Sequence, residues 1–167
     1  MPVSPAAVKE LRELTGAGIL DCKSALEEAG GDFGKAKDIL RKKGIAMAAK
    51  KAERATAEGL VQTYVHHDGR LGALVEINCE TDFVARTEDF TKLAQNIALH
   101  VAATNPTYVS SEDIPKGTEG DAKDLCLLLQ PFVRDESMTV ADMVKETIRR
   151  TGENIRIRRF ARFELGR

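Results

Sequence analysis

The hydrophobic pattern at the start of the chain predicts two short helices joined by a glycine-rich turn. Ser4 followed by Pro5 is typical of a helix N-terminus, and apolar residues then recur at helical spacing until the first glycine. A second helix is expected over Ile19–Ala29, because a pair of glycines follows it. Its periodicity places Ile19 or Leu20 in the core together with Ala25 and Leu26.

A third helix and a linker are expected next. Asp32 has the position of a helix cap, and the helix is predicted over Phe33–Lys43 with Gly44 ending it. The alanine- and lysine-rich stretch that follows has high helix propensity but few large apolar residues, so it is interpreted as a helical linker. The predicted division is a three-helix N-terminal domain at residues 1–44, a linker at 45–58 and a core domain at 59–167.

Two segments rich in β-branched residues, Leu60–His66 and Leu71–Cys79, predict a β-hairpin around a tight turn. An amphipathic helix is expected after them, from Glu88 to Ala103, ending at the Asn105-Pro106 pair. This helix is expected to pack on the hairpin through one apolar stripe. The stripe consists of Phe90, Leu93, Ile97 and Val101.

The last third of the chain is expected to contain an exposed loop, two helices and a final strand. The loop is predicted over Ser110–Ala122, and the first helix over Lys123–Gln130. Thr139 and Asp142 have the spacing of a capping box and start a helix that runs through Arg150. One face of the final strand is assigned to Ile155, Ile157, Ala161, Phe163 and Leu165, interrupted by Arg159, and the other to Arg156, Arg158 and Arg162.

This order of elements favours the α+β class. Antiparallel strands separated by helices do not form a doubly wound parallel sheet. The predicted architecture is therefore a three-helix N-terminal domain, a helical linker and an antiparallel three-stranded sheet packed with helices.

The charge distribution narrows the choice of partners. Among 167 residues, 25 Lys and Arg balance 26 Asp and Glu, which argues against a protein that coats nucleic acid or an anionic membrane. Along the chain the net charge is +3 for residues 1–56, −8 for 57–136 and +4 for 137–167. No apolar segment approaches the length of a membrane span, and no signal peptide is recognised, so a cytoplasmic location is expected.

Groups that could support catalysis or bind a metal are few and scattered. The three cysteines form no C-x-x-C pair and are expected to be buried thiols. His100 stands alone on a predicted helix, where a packing role is commoner than metal ligation. Gly30–Ala36 only approximates a phosphate-binding loop, and it follows a helix where such a loop needs a strand. No enzymatic activity, metal or cofactor is predicted.

Two features remain open to a functional interpretation. Basic residues between Arg41 and Arg54, with the alternating arginines and aromatics of Arg156–Phe163, either bind single-stranded nucleic acid or solvate a helix and a sheet face. The segment Glu80–Arg86 places Asp82 beside Phe83 between a strand and a helix. Either Asp82 caps a turn and Phe83 fills the core, or the pair has a functional role.

Three blocks of the chain together resemble the bacterial elongation factor Ts family. They are Leu14–Leu26, with the motif Thr-Gly-Ala-Gly-Ile-Leu, then Glu80–Arg86, with the motif Glu-Thr-Asp-Phe-Val-Ala-Arg, and finally Gly152–Glu164. The blocks occur in the order of the family and span nearly the whole chain. The resemblance implies an N-terminal domain similar to ubiquitin-associated domains, a linker and an α+β core with antiparallel strands.

The resemblance also implies a function. Members of this family are guanine-nucleotide exchange factors for the translation GTPase elongation factor Tu, and they catalyse no covalent chemistry. In the family, a Thr-Asp-Phe-Val segment reaches the magnesium site of the GTPase and disturbs it. The matching residues here are Thr81, Asp82, Phe83 and Val84.

Further contacts are implied for the N-terminal domain. The family docks this domain on the GTPase through positions that match Arg12, Ile19 and Leu20, although helical phase alone leaves Ile19 and Leu20 equally open to a place in the helix core. Short members of the family usually form homodimers, so a homodimer is a possible state of this chain. The segment between Pro115 and Cys126 is expected to be abbreviated relative to the family. No membrane and no direct nucleic-acid partner is implied.

Overall fold

The computed structural model describes residues 3–167, so the first two residues of the predicted N-terminal domain lie outside the described range. Single 3-10 turns occur at Ser111–Asp113 and Leu127–Leu129. The helices and strands, in chain order, are α1 (Pro5–Thr15), α2 (Ile19–Glu28), α3 (Phe33–Lys51), β1 (Glu58–Val65), β2 (Leu71–Cys79), α4 (Asp82–Ala85), α5 (Glu88–Thr104), α6 (Ala122–Leu125), β3 (Pro131–Phe132), β4 (Asp135–Thr139), α7 (Val140–Thr151) and β5 (Arg156–Glu164).

The three N-terminal helices enclose a small core of their own. The Ser4 hydroxyl accepts a hydrogen bond from the backbone N–H of Ala7 at 3.1 Å, which confirms the predicted cap of α1. Gly16 ends this helix in the left-handed conformation, with φ of 66°. The residues buried between the three helices are Val8, Leu11, Ala17, Cys22, Ala25, Leu26, Ala36 and Leu40.

Helix α3 continues to Lys51, so the prediction that Gly44 ends it is wrong. Gly44 is buried inside the helix, where a β-carbon would lie 3.5 Å from Cδ of Arg149. A β-carbon at this distance would make an ordinary van der Waals contact, so the residue is not required to be glycine; the packing of α3 on α7 outweighs the low helix propensity of Gly44. The predicted boundary between residues 44 and 45 falls inside a continuous helix, and the three-part division of the chain remains a prediction.

Strands β1, β2 and β5 form an antiparallel sheet in the order β1-β2-β5. Strand β1 pairs with β2 from Glu58 opposite Cys79 to Val65 opposite Gly72. Helix α5 covers one face of the sheet, and its predicted stripe is buried there with Val75 and Ile77 of β2. These findings confirm the hairpin, its covering helix and the α+β class.

The predicted faces of β5 are wrong beyond Ile157, because a β-bulge shifts the register. Ile77 pairs with Ile157, but its neighbour Glu76 pairs with Arg159. The extra residue on β5 exchanges the two faces of the strand from that point. Consequently Phe160 packs against the main core and Arg162 bonds to helix α5, whereas Phe163 and Leu165 are exposed on the outer face.

The predicted helix over Lys123–Gln130 is interrupted at Cys126, which forms a parallel bridge with Tyr108. The backbone N–H of Leu127 donates to the carbonyl of Tyr108 at 2.8 Å, so tertiary pairing replaces helical hydrogen bonds here. The small β3–β4 hairpin that follows was not predicted. The capping box of Thr139 and Asp142 at the start of α7 is confirmed.

Buried polar groups have partners. The ring of His100 donates from Nε2 to Oε1 of Gln130 at 2.9 Å, and its Nδ1 accepts from the N–H of Val133 at 3.2 Å. His100 is fully buried, which confirms its predicted packing role, and this burial lowers its pKa. The three cysteines are free and buried, as predicted. Among the helices of residues 3–167, none has the length and apolar character needed to cross a bilayer.

Candidate partner-binding site

Residues Thr81–Val84, here called the probe segment, follow β2 and form the first turn of α4. Thr81 is extended, with φ of −127° and ψ of 155°, and its hydroxyl accepts from the N–H of Val84 at 3.4 Å. Val84 and Ala85 are buried in the main core. The turn is therefore anchored on its inner side and presents its other residues outward.

Phe83 lies on the outward side of this turn, with 79% of its surface exposed. The alternative in which Phe83 fills the core is therefore wrong. Helical geometry explains the result, because Val84 and Ala85 point inward and leave the preceding residue facing solvent. Aromatic residues are enriched at protein–protein interfaces, so this exposed ring on an anchored turn is a candidate contact residue.

Asp82 does not cap the turn, because Thr81 occupies the capping position. Its carboxylate instead pairs with the guanidinium of Arg86 at 3.0 Å. Both side chains are substantially exposed, and such a pair contributes about 0–1 kcal/mol, so a partner can displace it at little cost. The acidic group is therefore available beside Phe83.

Two groups, the Cys79 thiol and the Glu153 carboxylate, form hydrogen bonds to Thr81 at the start of the probe segment. The Cys79 thiol donates to the carbonyl of Thr81 at 3.1 Å, and burial together with the nearby Glu153 carboxylate raises its pKa to about 11. The Glu153 carboxylate accepts from the N–H of Thr81 at 3.0 Å. Glu153 lies in the third block of the family resemblance, but nothing in the spacing of the sequence indicated that it contacts Thr81.

The turn between α1 and α2 exposes a second group of apolar side chains. Ile19 is 57% exposed and Leu20 is 80% exposed, so the prediction that one of them lies in the helix core is wrong. The buried residues of α2 begin at Cys22, one turn later. Leu14, Ile19, Leu20 and the exposed Arg12 are here called the N-terminal tip.

Arg149 and Arg150 of α7 hold the turn next to the N-terminal tip. Nη2 of Arg150 donates to the carbonyl of Thr15 at 2.8 Å, and Nη2 of Arg149 donates to the same carbonyl at 3.1 Å. Nη1 of Arg150 also donates at 3.2 Å to Asp89, in the first turn of α5. The end of α1 is therefore fixed to α7, and α7 is fixed to α5, the helix that follows the probe segment.

The arginines of β5 are largely engaged within the fold. Arg158 and Arg159 both pair with Glu76, at 3.7 and 2.7 Å, and Arg162 donates to the carbonyl of Ala102 at 2.9 Å. These contacts give the arginines partners within the fold, but the side chains of Arg158 and Arg159 are 69% and 80% exposed, so the RNA-binding hypothesis is decided by the binding experiment below. Within residues 3–167 no cluster of His, Cys, Asp or Glu has the arrangement of a metal site.

Comparison with known proteins places the chain in a family. The family model described as Elongation factor TS matches residues 34–123, which is more than half of the chain and includes the probe segment. The chain belongs to the elongation factor Ts family. It is therefore an elongation factor of protein biosynthesis, as the resemblance of its three blocks predicted.

Curated relatives agree over almost the full length. Elongation factor Ts of Fervidobacterium nodosum is 47% identical over 196 aligned positions, which cover 99% of this chain and 100% of the relative. The protein of the same name from Carboxydothermus hydrogenoformans is 49% identical, covering 98% of this chain and 89% of the relative. Elongation factor Ts of Thermotoga petrophila is 48% identical, covering 99% of this chain and 98% of the relative.

This member of the elongation factor Ts family is shorter than the relatives that it matches. The alignment with the Fervidobacterium nodosum protein has 196 positions, whereas this chain has 167 residues, so at least 29 positions are occupied in the relative alone. This difference is consistent with an abbreviated segment. Its placement between Pro115 and Cys126 remains a prediction.

Proposed function

We propose that this protein is a cytoplasmic guanine-nucleotide exchange factor for elongation factor Tu, and that the probe segment promotes release of GDP by disturbing the magnesium site. Family membership supports the activity. The observation that carries the mechanism is Phe83, an aromatic ring 79% exposed on a turn whose next two residues are buried.

The proposed mechanism acts on the strongest contacts of the nucleotide. In a P-loop GTPase, magnesium and the phosphate-binding loop hold the phosphates, so displacement of the ion removes much of the affinity for GDP. Phe83 gains the free energy of burial, about 1.5–3 kcal/mol for a full side chain, only when it enters the partner. That gain offsets the distortion of the GTPase, and Asp82 adds a negative charge and hydrogen-bond acceptors there.

Binding of the factor to the GTPase and binding of GDP weaken each other. If the factor weakens GDP binding by some ratio, bound GDP weakens the binding of the factor by the same ratio. Incoming nucleotide therefore displaces the factor and completes the exchange. No covalent bond is broken in this cycle.

The N-terminal tip provides the proposed docking surface. Arg12, Ile19 and Leu20 would contact the GTPase while the probe segment reaches its magnesium site. The exposure of both apolar residues supports this role, since the helix core does not use them. Arg149 and Arg150 hold the end of α1 on α7, and Arg150 also pairs with Asp89 at the start of α5, the helix that follows the probe segment. These contacts support an arrangement in which one partner contacts both surfaces.

We also propose that the protein forms a homodimer through the outer face of its sheet. The exposed apolar residues on this face include Val61, Val65, Leu74, Phe163 and Leu165. They come from all three strands and are opposite the face that α5 covers. A second copy of the chain would bury this surface, as two sheets pack face to face in a sandwich.

The test is the rate at which a fluorescent GDP analogue leaves elongation factor Tu, measured by stopped flow with magnesium present and again after chelation. Acceleration in magnesium that is much smaller after chelation would support action at the magnesium site. No acceleration in magnesium would refute the proposed function. Strong, steeply salt-dependent binding to RNA in place of acceleration would favour the RNA-binding hypothesis.

A further inference from the structure

Glu153 lies in the turn between α7 and β5 and accepts two hydrogen bonds from Thr81, the first residue of the probe segment, and one from Glu80 before it. Its Oε2 accepts from the backbone N–H groups of Glu80 and Thr81, each at 3.0 Å. Its Oε1 accepts from the Thr81 hydroxyl at 2.5 Å. Because a carboxylate makes strong, directional hydrogen bonds, these contacts fix the direction in which the chain leaves β2.

The next residue, Asn154, bonds back to Glu80 and also contacts the segment before β1. The N–H of Asn154 donates to the carboxylate of Glu80 at 2.7 Å. The side-chain amide of Asn154, which is buried, donates to the carbonyls of Ala52 and Arg54 at 3.3 and 2.8 Å. Glu153 and Asn154 therefore hold the probe segment and the end of the α3–β1 connection together.

The turn that carries Glu153 is itself fixed. Gly152 ends α7 in the left-handed conformation, with φ of 76°, and its N–H donates to the carbonyl of Ile148 at 2.8 Å. Its own carbonyl accepts from the ammonium group of Lys51, in the last turn of α3. Because both α7 and α3 hold Gly152, Glu153 presents a preformed acceptor to Thr81.

We propose that Glu153 is a positioning residue for nucleotide exchange, which acts through Thr81 to hold Phe83 in the orientation that enters the partner. This inference rests on the proposed function. Glu153 belongs to neither of the surfaces assigned to the partner. Its loss should therefore slow the step in which the probe segment disturbs the nucleotide site and should leave docking through the N-terminal tip unchanged.

The first experiment separates these two effects. GDP release from elongation factor Tu is measured over a range of factor concentrations for wild type, Glu153→Ala and Glu153→Gln. For Glu153→Ala we expect the maximal release rate to fall about tenfold, which is typical of lost hydrogen bonds to a charged group, with an unchanged half-saturating concentration. Glu153→Gln keeps the shape and one acceptor, so its rate should lie between those of wild type and Glu153→Ala.

Controls exclude a general loss of folded protein. Glu119→Ala alters an exposed glutamate in the loop before α6 and should leave the release rate at the wild-type value. Thermal unfolding by circular dichroism establishes that each variant is folded at the assay temperature. If Glu153→Ala is not, the isosteric Glu153→Gln variant provides the comparison, and a lowered maximal rate in that folded variant supports the proposal.

A double-mutant cycle tests whether the effect passes through Phe83. Glu153→Ala in the Phe83→Ala background should slow release by less than about twofold, because the ring that it positions is already absent. The same fold reduction in both backgrounds, or a wild-type maximal rate in a folded Glu153 variant, would overturn the proposal. Failure of the wild-type protein to accelerate release would instead refute the proposed function.

Discussion

Replacing Phe83 by alanine removes the group that the proposed mechanism inserts into the GTPase. In the free protein 79% of the Phe83 surface is exposed, so the fold gains little from it and the free energy of unfolding should change by less than about 0.5 kcal/mol. Burial of the exposed part in the partner is worth about 1–2.5 kcal/mol. If this gain is realised in the transition state for GDP release, the variant should release GDP about 5- to 70-fold more slowly.

Stopped-flow release of labelled GDP at saturating factor measures this change directly. Val133→Ala is the control, because it also truncates an exposed apolar side chain, in the turn between β3 and β4. It should release GDP at the wild-type rate. An undiminished rate for folded Phe83→Ala would refute the reasoning, and an equal loss in both variants would show that the effect is not specific to the probe segment.

Further predictions concern docking, assembly and stability. Leu20→Asp should raise the half-saturating concentration in the release assay and leave the maximal rate unchanged, since Leu20 lies on the proposed docking surface and not in the core. Phe163→Arg should lower the apparent mass in sedimentation velocity from dimer to monomer, and wild-type protein that is monomeric at high concentration would refute the sheet-face dimer. Because burial lowers the pKa of His100 below its ordinary 6.5, the unfolded state takes up a proton first as pH falls, so the free energy of unfolding should decrease below pH 6.5 by up to about 1.4 kcal/mol per pH unit. Urea titrations at pH 7.5 and 5.5 should show a smaller decrease for His100→Gln, and an equal decrease would contradict the assignment. Gly16→Ala forces a side chain into a left-handed position, with φ of 66°, and should destabilise the protein by about 1–2 kcal/mol in the same titrations.

Local signals in the sequence predicted most of the regular structure. The caps at Ser4, Asp32 and Thr139 each satisfy a backbone N–H within three residues, so they are recognisable from the sequence alone. The apolar stripe of α5 repeats at helical spacing and is wholly buried on the hairpin. Such features depend on neighbours along the chain, and they were predicted correctly.

The errors arose where distant residues decide the structure. Gly44 lies inside a helix that packs along α7, and Cys126 leaves a helix because it pairs with Tyr108. The bulge between Ile157 and Arg159 depends on the register with β2, which a strand pattern does not contain. Each of these contacts joins residues that are far apart in sequence.

In the candidate site, too, the sequence indicated some residues and gave no sign of contacts between distant ones. The family resemblance supplied Asp82 and Phe83, but the residue pattern left Phe83 open to a place in the core, and helical phase left Ile19 and Leu20 equally open. The support that Glu153 gives to Thr81 joins residues 72 positions apart. A single sequence carries no signal for that contact.

Exchange activity is measured by the dissociation rate of labelled GDP from elongation factor Tu, in magnesium-containing buffer, as wild-type factor is titrated. If the protein is an exchange factor, the rate should rise with factor concentration to a plateau, and excess unlabelled GDP added afterwards should displace the factor. A dissociation rate that stays at its intrinsic value at every concentration of folded factor would contradict the proposed function.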